Sequence, residues 1–535
     1  MAIASSFRLG RLAPLAHSVS HNALSTRISF YGSFPSSLSP FPASESDLHK
    51  PLSSPFFSYP ETESSDFDSE SDEPIANISS PYLPTFVQIL SQAKTQFSTQ
   101  DEVLASLSSS FAFKPTKDLL YSALWVLRHD WESALLAFRW GGDCVLDSLS
   151  AWHLMIWVLG KRKRFDLAWL LVRKMHRKSL LTRRALVIMM ERYASANEPG
   201  KAIKTFHAME KFNLDADLAT FYALVRTLCK HKNIEEAEEL LLSKQKFFPL
   251  SAAGFNIVLD GWCNVFVDVI EAKRVWREMA KYCVMPDDIS YTHMIGCFSK
   301  LGNLFDSLRL YVEMKKRGWN PTLKVFNYLI YVLTRENCTN EAQNIFHKIK
   351  ETGLKPDVTT YNCYILPLCE AHKVNEAQDV MNLMISEGLQ PSMETYHAFV
   401  KMVDFEGTLK LIDKMRASGF GPDGSTFLVI FDKFFRLGES ENALKMWIEM
   451  RRNGVSPSAL HYTTMIKGLA VHGWIPKAME FCDEMKSKGF PADPKLERLF
   501  KRFISDNRNH WGKGGKGFVI GEHKIQVIRR ILKHE

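Results

Sequence analysis

The sequence predicts an all-α protein, a right-handed α-solenoid (superhelix) of about ten 35-residue helix-turn-helix repeats with terminal capping helices. Three observations predict it. Glycine returns at Gly318, Gly353, Gly388, Gly419, Gly454 and Gly489, in steps of 35, 35, 31, 35 and 35 residues. Proline keeps step with it at Pro286, Pro321, Pro356, Pro391, Pro422 and Pro457. Between each proline and the next glycine lie two runs with apolar residues at i, i+3, i+4 and i+7, such as Phe326, Leu329, Ile330 and Leu333, then Ala342, Ile345, Phe346 and Ile349.

The repeat explains its own punctuation. A glycine takes the left-handed conformation that ends the second helix at least cost, and the proline that follows blocks continuation. Ala237, Ala272, Ala342, Ala377, Ala443 and Ala478 open the second apolar stripe, where two helices must approach closely. One hairpin cannot cover its own apolar faces, so neighbours stack.

Taken in order, residues 1–44 hold three arginines and no acid among many Ser and Ala, without a continuous apolar core, as in an organelle transit peptide. The amphipathic placement of the arginines points to the mitochondrion, with the chloroplast as the alternative. Residues 45–80 turn rich in Ser, Pro and acid, too polar to order themselves, and are expected to be a disordered linker. Residues 81–148 are expected to form an N-terminal helical cap with one degenerate hairpin, Asp118 to Leu127 and Trp131 to Trp140. The array occupies 149–493, with repeats starting at 149, 183, 218, 252, 288, 323, 358, 393, 424 and 459; the unit at 252 has 36 residues and that at 393 has 31. Residues 494–535 add a capping helix and a basic tail with eleven Lys or Arg against four acids.

Composition narrows the classes. With 46% apolar and 24% charged residues the chain is neither disordered throughout nor a disulfide scaffold. Its longest apolar stretch, around Trp152 to Gly160, falls well short of the roughly 20 residues a bilayer needs, so no membrane insertion is expected. The net charge of +8 is uneven: residues 1–80 carry four Lys or Arg against nine acids, so the body is the more basic part, a balance that attracts polyanions.

The segments Thr360-Tyr361-Asn362-Cys363-Tyr364-Ile365 and Gly353-Leu354-Lys355-Pro356-Asp357 resemble the TYNxLI and GxxPD signatures of the pentatricopeptide repeat family, in its P class of 35-residue repeats found in organelles. The resemblance recurs over about two thirds of the chain. It implies single-stranded RNA laid along the array, one base per repeat, read by the residue after the Tyr or Phe of the first helix together with the last residue of the repeat. The implied RNA-binding pairs are Asn256 with Asp287, Thr292 with Thr322, Asn327 with Asp357, Asn362 with Ser392, His397 with Asp423 and Thr463 with Asp493. The outlying units place His153 with Thr182, Val187 with Asp217, Tyr222 with Ser251 and Leu428 with Ser458. In the family's code Asn with Asp favours uracil, Asn with Ser a pyrimidine and Thr with Asp guanine. From the unit at 252 onward the string reads U, an undefined base, U, C or U, two unread bases, then G. Because Asn is a mediocre helix former, its recurrence after an aromatic is taken as a reading position with no role in stability.

Competing chemistry is weak. The glycine-lysine run at Gly512 to Gly517 lacks the G-K-[ST] of a phosphate loop. Cys229, Cys263, Cys297 and Cys369 fall on first helices, one rung apart, as core residues rather than ligands. Lys161 to Arg164 falls in a hairpin turn. No catalytic residue, cofactor, metal or small-molecule substrate is expected, and the 42 residues after Asp493 are too few for a catalytic domain. The reading is a sequence-selective single-stranded RNA-binding protein of an organelle, acting without catalysis in transcript processing, stabilisation, splicing or translation. Protein partners in RNA processing are compatible with it. The alternative is a protein-binding helical-repeat scaffold or a structural component of an organellar ribosome.

Overall fold

The computed structural model describes residues 82–490 apart from 98, 111–114 and 143–147. The transit peptide, linker and carboxyl-terminal segments expected from the sequence, and with them Asp493, lie outside these residues. Among the described residues every regular element is helical.

Among the described residues four helices precede the array: Leu83–Gln96, Gln100–Ser110, Lys117–Val126 and Trp131–Trp140. The last two form the degenerate hairpin, joined by the short turn Leu127–His129. Each starts on a side-chain cap: Thr116 accepts from the Leu119 amide, and Asp130 accepts from the amides of Glu132 and Ser133.

Ten hairpins follow. Their first helices are Leu149–Lys161, Arg183–Ser195, Leu218–Lys230, Ala252–Asp260, Asp288–Lys300, Leu323–Arg335, Val358–Glu370, Met393–Met402, Gly424–Arg436 and Ala459–Val471. Their second helices are Phe165–Arg177, Pro199–His207, Ile234–Ser243, Val269–Lys281, Leu304–Lys316, Thr339–Glu351, Val374–Ser386, Phe405–Ala417, Ser440–Arg452 and Ile475–Ser487. Each first helix packs on its own second helix and on the first helices of its neighbours, so first helices form one continuous layer flanked by the second helices. The division of burial follows. From Ser290 to Lys300 every residue of one first helix is buried, whereas the second helix Thr339–Glu351 buries only Ala342, Phe346 and Ile349. All six alanines that open the second stripe are fully buried, which is the close approach their size permits.

Two left-handed positions recur along the array, the first absent from the unit at 218 and the second from the unit at 393. One closes the second helix: at Gly353 (φ +79°) the amide bonds back to the Lys350 carbonyl at 3.1 Å, and that of Leu354 to Ile349 at 3.2 Å. An added Cβ at Gly353 would meet nothing within 4 Å, so glycine is there for its backbone conformation and not for space. The other turns the hairpin and escaped the sequence reading, because Lys163, Asn197, Lys232, Val267, Asn337 and His372 fill it in six units and glycine in only three.

The irregular units show where length is absorbed. In the 36-residue unit the first helix runs into a π-helical turn, Gly261–Phe266, which takes up the extra residue. In the 31-residue unit the first helix stops at Met402, and Asp404 caps the second through the Gly407 amide at 2.8 Å, so the last helical turn and the hairpin turn are lost. Both changes lie at the end of the first helix away from the paired side chains.

Among the described residues, no helix is long and apolar enough to cross a membrane. No group of three His, Cys, Asp or Glu among them could hold a metal ion. Cys229, Cys263, Cys297 and Cys369 are buried. The Lys161 to Arg164 turn packs on the preceding hairpin, with the Arg164 guanidinium 4.4 Å from the Trp131 ring centroid.

Candidate nucleic-acid interface

The fifth residue of each repeat sits on the first turn and a half of the first helix, and the last residue of the repeat is the N-cap of the next first helix. Stacking sets the two against each other. The Asn256 amide Nδ2 donates to Asp287 Oδ1 at 2.9 Å, and the Asn362 Nδ2 to Ser392 Oγ at 3.1 Å. The same juxtaposition places His153 Nε2 2.7 Å from Thr182 Oγ1, and the Tyr222 hydroxyl 2.9 Å from Ser251 Oγ.

A third residue, missed in the sequence reading, completes the arrangement. The third residue of the next first helix closes a capping box with the N-cap and also reaches the fifth residue of the preceding repeat. Ser290 Oγ donates to Asn256 Oδ1 at 2.6 Å and lies 3.0 Å from Asp287 Oδ1; Thr395 Oγ1 donates to Asn362 Oδ1 at 2.6 Å. Where the fifth residue is the bulky Tyr222, the corresponding third residue is Gly254, whose added Cβ would come within 3.3 Å of the Tyr222 ring. His397 follows suit, with Nε2 3.1 Å from Thr426 Oγ1, whose hydroxyl donates to Asp423 at 2.8 Å. The shortened unit at 393 therefore keeps its contact with the next rung. The signal in the sequence was a Ser or Thr at the third position of the repeat that follows, as at Ser290 and Thr395, but its partner lies 33 or 34 residues away and spacing alone does not reveal the bond.

These contacts correct the expectation that asparagine has no structural reason to recur. Asn256, Asn327 and Asn362 are 5%, 5% and 3% exposed, and two of the three bridge adjacent repeats. An asparagine amide has two N–H donors and two oxygen lone pairs, so Asn256 and Asn362 retain one of each.

Other pairs are not joined. Thr292 Oγ1 donates to the Asp288 carbonyl at 2.8 Å, and the exposed Thr322 makes no side-chain cap. Thr463 likewise donates to the Ala459 carbonyl at 2.8 Å. Asp357 is engaged by Thr360, whose amide and hydroxyl lie 2.7 and 2.8 Å from Oδ1, and the Asn327 Oδ1 is left buried without a hydrogen-bond partner. Val187 and Leu428 offer no polar atom.

Charge tunes the caps. Burial would raise the Asp287 carboxyl, but bonds from the Ser290 amide, Asn256 and the Ser290 hydroxyl outweigh it and hold the group below its ordinary range, ionised. Burial, reinforced by Arg184, pushes His153 down to about 4, leaving a neutral imidazole against Thr182. A second feature absent from the sequence reading is a basic residue ending several first helices: Lys161, Lys230, Lys300, Arg335 and Arg436. Each complements the helix dipole there.

A stack of hairpins in which several first-helix side chains meet the cap of the next hairpin is a modular helical-repeat solenoid. Sequence profiles place it further. The PPR repeat family profile matches residues 356–403 and 429–471, the PPR repeat profile residues 150–180, 219–245, 324–354 and 460–490, and the pentatricopeptide repeat domain profile residues 274–336. A mitochondrial pentatricopeptide repeat-containing protein of Arabidopsis thaliana is 47% identical over 407 residues, covering 76% of this chain and 75% of the relative. A second mitochondrial one from the same plant is 36% identical over 398 residues, covering 73% and 70%. The chain belongs to the pentatricopeptide repeat family. The crystal structure of the maize pentatricopeptide repeat protein PPR10 superposes with a TM-score of 0.36 at 16% identity, covering 85% of this chain and 77% of that one.

Proposed function

We propose that the protein is a sequence-selective single-stranded RNA-binding protein of the mitochondrion that acts without catalysis, by occupying a transcript during processing, stabilisation, splicing or translation. The observation that carries this reading is the rung: a fifth-position side chain held by the next repeat, repeated along the first-helix layer, with one donor and one acceptor unspent at Asn256 and Asn362. Such an edge matches the Watson–Crick edge of an unstacked base, one per repeat. A packed apolar core alone would not leave donors and acceptors at a repeating position.

Affinity needs a charge component as well. The basic residues that end first helices lie along one side of the layer at the repeat spacing, and Lys230 and Arg436 are exposed, as phosphate contacts require. At roughly 1–3 kcal/mol per favourable base contact, a handful of rungs suffices to hold an RNA once ordering costs are met. The mitochondrial address rests on the composition of residues 1–44 and on the mitochondrial relatives.

Selection from a pool of random single-stranded RNA by the full chain tests the reading. An enriched motif with uracil at the base facing Asn256 is expected. Salt-sensitive retention without a motif would refute sequence selection and leave a scaffold.

A further inference from the structure

Three asparagines stand at the same place in their repeats, yet their amides are held differently. At Asn256 the nitrogen faces the Asp287 carboxylate, which is an acceptor only, and the oxygen takes the Ser290 hydroxyl at 2.6 Å. Turning this amide over would set its oxygen against a carboxylate oxygen and break the bond from the Ser290 hydroxyl, which would be left to Asp287 Oδ1 at 3.0 Å. At Asn362 both partners are hydroxyls, Ser392 and Thr395, and each of these donates or accepts equally well. That amide turns over with no bond lost. At Asn327 the corresponding Thr360 spends its hydroxyl on Asp357, and the amide oxygen has no partner to fix it.

Orientation matters because the open edge of an amide reads differently in its two states. Uracil offers a carbonyl acceptor beside a ring N–H donor, and cytosine an amino donor beside a ring acceptor. An amide fixed one way suits one pattern, and an amide free to turn suits both.

We propose that Ser290 is a specificity-determining positioning residue, which together with Asp287 locks the Asn256 amide in one orientation and restricts that rung to uracil. The inference rests on the RNA-reading function above and goes past the identity of the paired residues. It ranks the rungs: strict at Asn256, and accepting both uracil and cytosine at Asn362. Asn327 follows Asn362 and not Asn256, although it shares the Asn and Asp pair of the strict rung.

The test is random-pool selection with full-length wild type, Ser290→Ala, Ser290→Thr and Thr220→Ala. Wild type is expected to show uracil alone at the column facing Asn256, with both pyrimidines at the columns facing Asn327 and Asn362. Ser290→Ala should lower the uracil-over-cytosine preference at the first column roughly five-fold, the worth of about one neutral hydrogen bond, and leave the other columns unchanged. Ser290→Thr should restore it, since Thr395 and Thr360 show that threonine fits this position fully buried. Thr220→Ala is the structural control: its hydroxyl closes the cap on Asp217 at 2.6 Å, and the fifth residue of the preceding repeat is Val187, which has no amide to orient. It should change no column. A first column that stays uracil-only in Ser290→Ala, an equal loss across all columns, or an Asn327 column as strict as that of Asn256 would each overturn the lock while the wild-type motif still stands. A wild type that selects no motif overturns the RNA reading itself, and the lock with it.

Discussion

Asn256→Ala and Asn327→Ala remove the same amide from the same repeat position, and the structure assigns them different costs. Asn256 loses a charge-assisted bond to Asp287 at 2.9 Å and a bond from Ser290 at 2.6 Å. Such bonds contribute about 1.5–3 and about 0.5–1.5 kcal/mol. The Ser290 amide and hydroxyl, at 2.9 and 3.0 Å, still satisfy Asp287. With the better helix propensity of alanine returning about 0.5 kcal/mol, a net loss of about 2 kcal/mol is expected. Asn327 has a buried oxygen without a partner, a group that costs about 1–3 kcal/mol, and alanine removes it. That variant is expected to be neutral or slightly stabilised. Urea unfolding gives the global comparison. A solenoid opens in parts, so amide hydrogen exchange over Ala252–Asp260 and Asp288–Lys300 against Leu323–Arg335 and Val358–Glu370 gives the local one. Equal destabilisation by the two substitutions would refute the distinction between a clamped and an unclamped rung.

Two further outcomes follow from the packing and the titrating groups. Burial and Arg184 lower His153 from 6.5 to about 4, so the unfolded chain binds the proton first. The stability this neutral imidazole contributes is present in full above about pH 6.5 and declines as pH falls toward 4. His153→Gln should flatten the dependence of the urea midpoint between neutral pH and about pH 5, and an unchanged slope would count against the assignment. At Gly296 an added Cβ would stand 2.6 Å from the ring of Tyr328, a fully buried side chain of the next first helix. Overpacking of about 1–3 kcal/mol then exceeds the gain of about 1 kcal/mol from replacing a mid-helix glycine, so Gly296→Ala should lower the unfolding midpoint. A midpoint at or above wild type would show that the ring has room to move.

Much of the fold was legible because its causes are local and repeated. The apolar spacing of Phe326, Leu329, Ile330 and Leu333 specifies a helix face in any context, and glycine at Gly318 or Gly353 marks a left-handed helix end since other residues adopt that conformation at a cost. The hairpin turn was less legible, because Lys163, Val267 and His372 hold the same conformation without a composition signal. Neither did spacing foretell the π-helical turn that accommodates the 36-residue unit: it shows the length of an insertion and not where the chain absorbs it.

The candidate site divides along the same line. The sequence by itself determined the repeat, the helical hairpins and which positions carry asparagine, aspartate, serine and threonine, since those depend on neighbours within a few residues and on a fixed period. Only the tertiary structure decided which of those side chains meet. Asn256, Asp287 and Ser290 form one hydrogen-bonded unit, while Asn327, with the same pairing residue, keeps a bare oxygen. The reason is that a hydroxyl at the third position has one proton to give, and the packing of two particular helices chooses between its own cap and the amide of the preceding repeat.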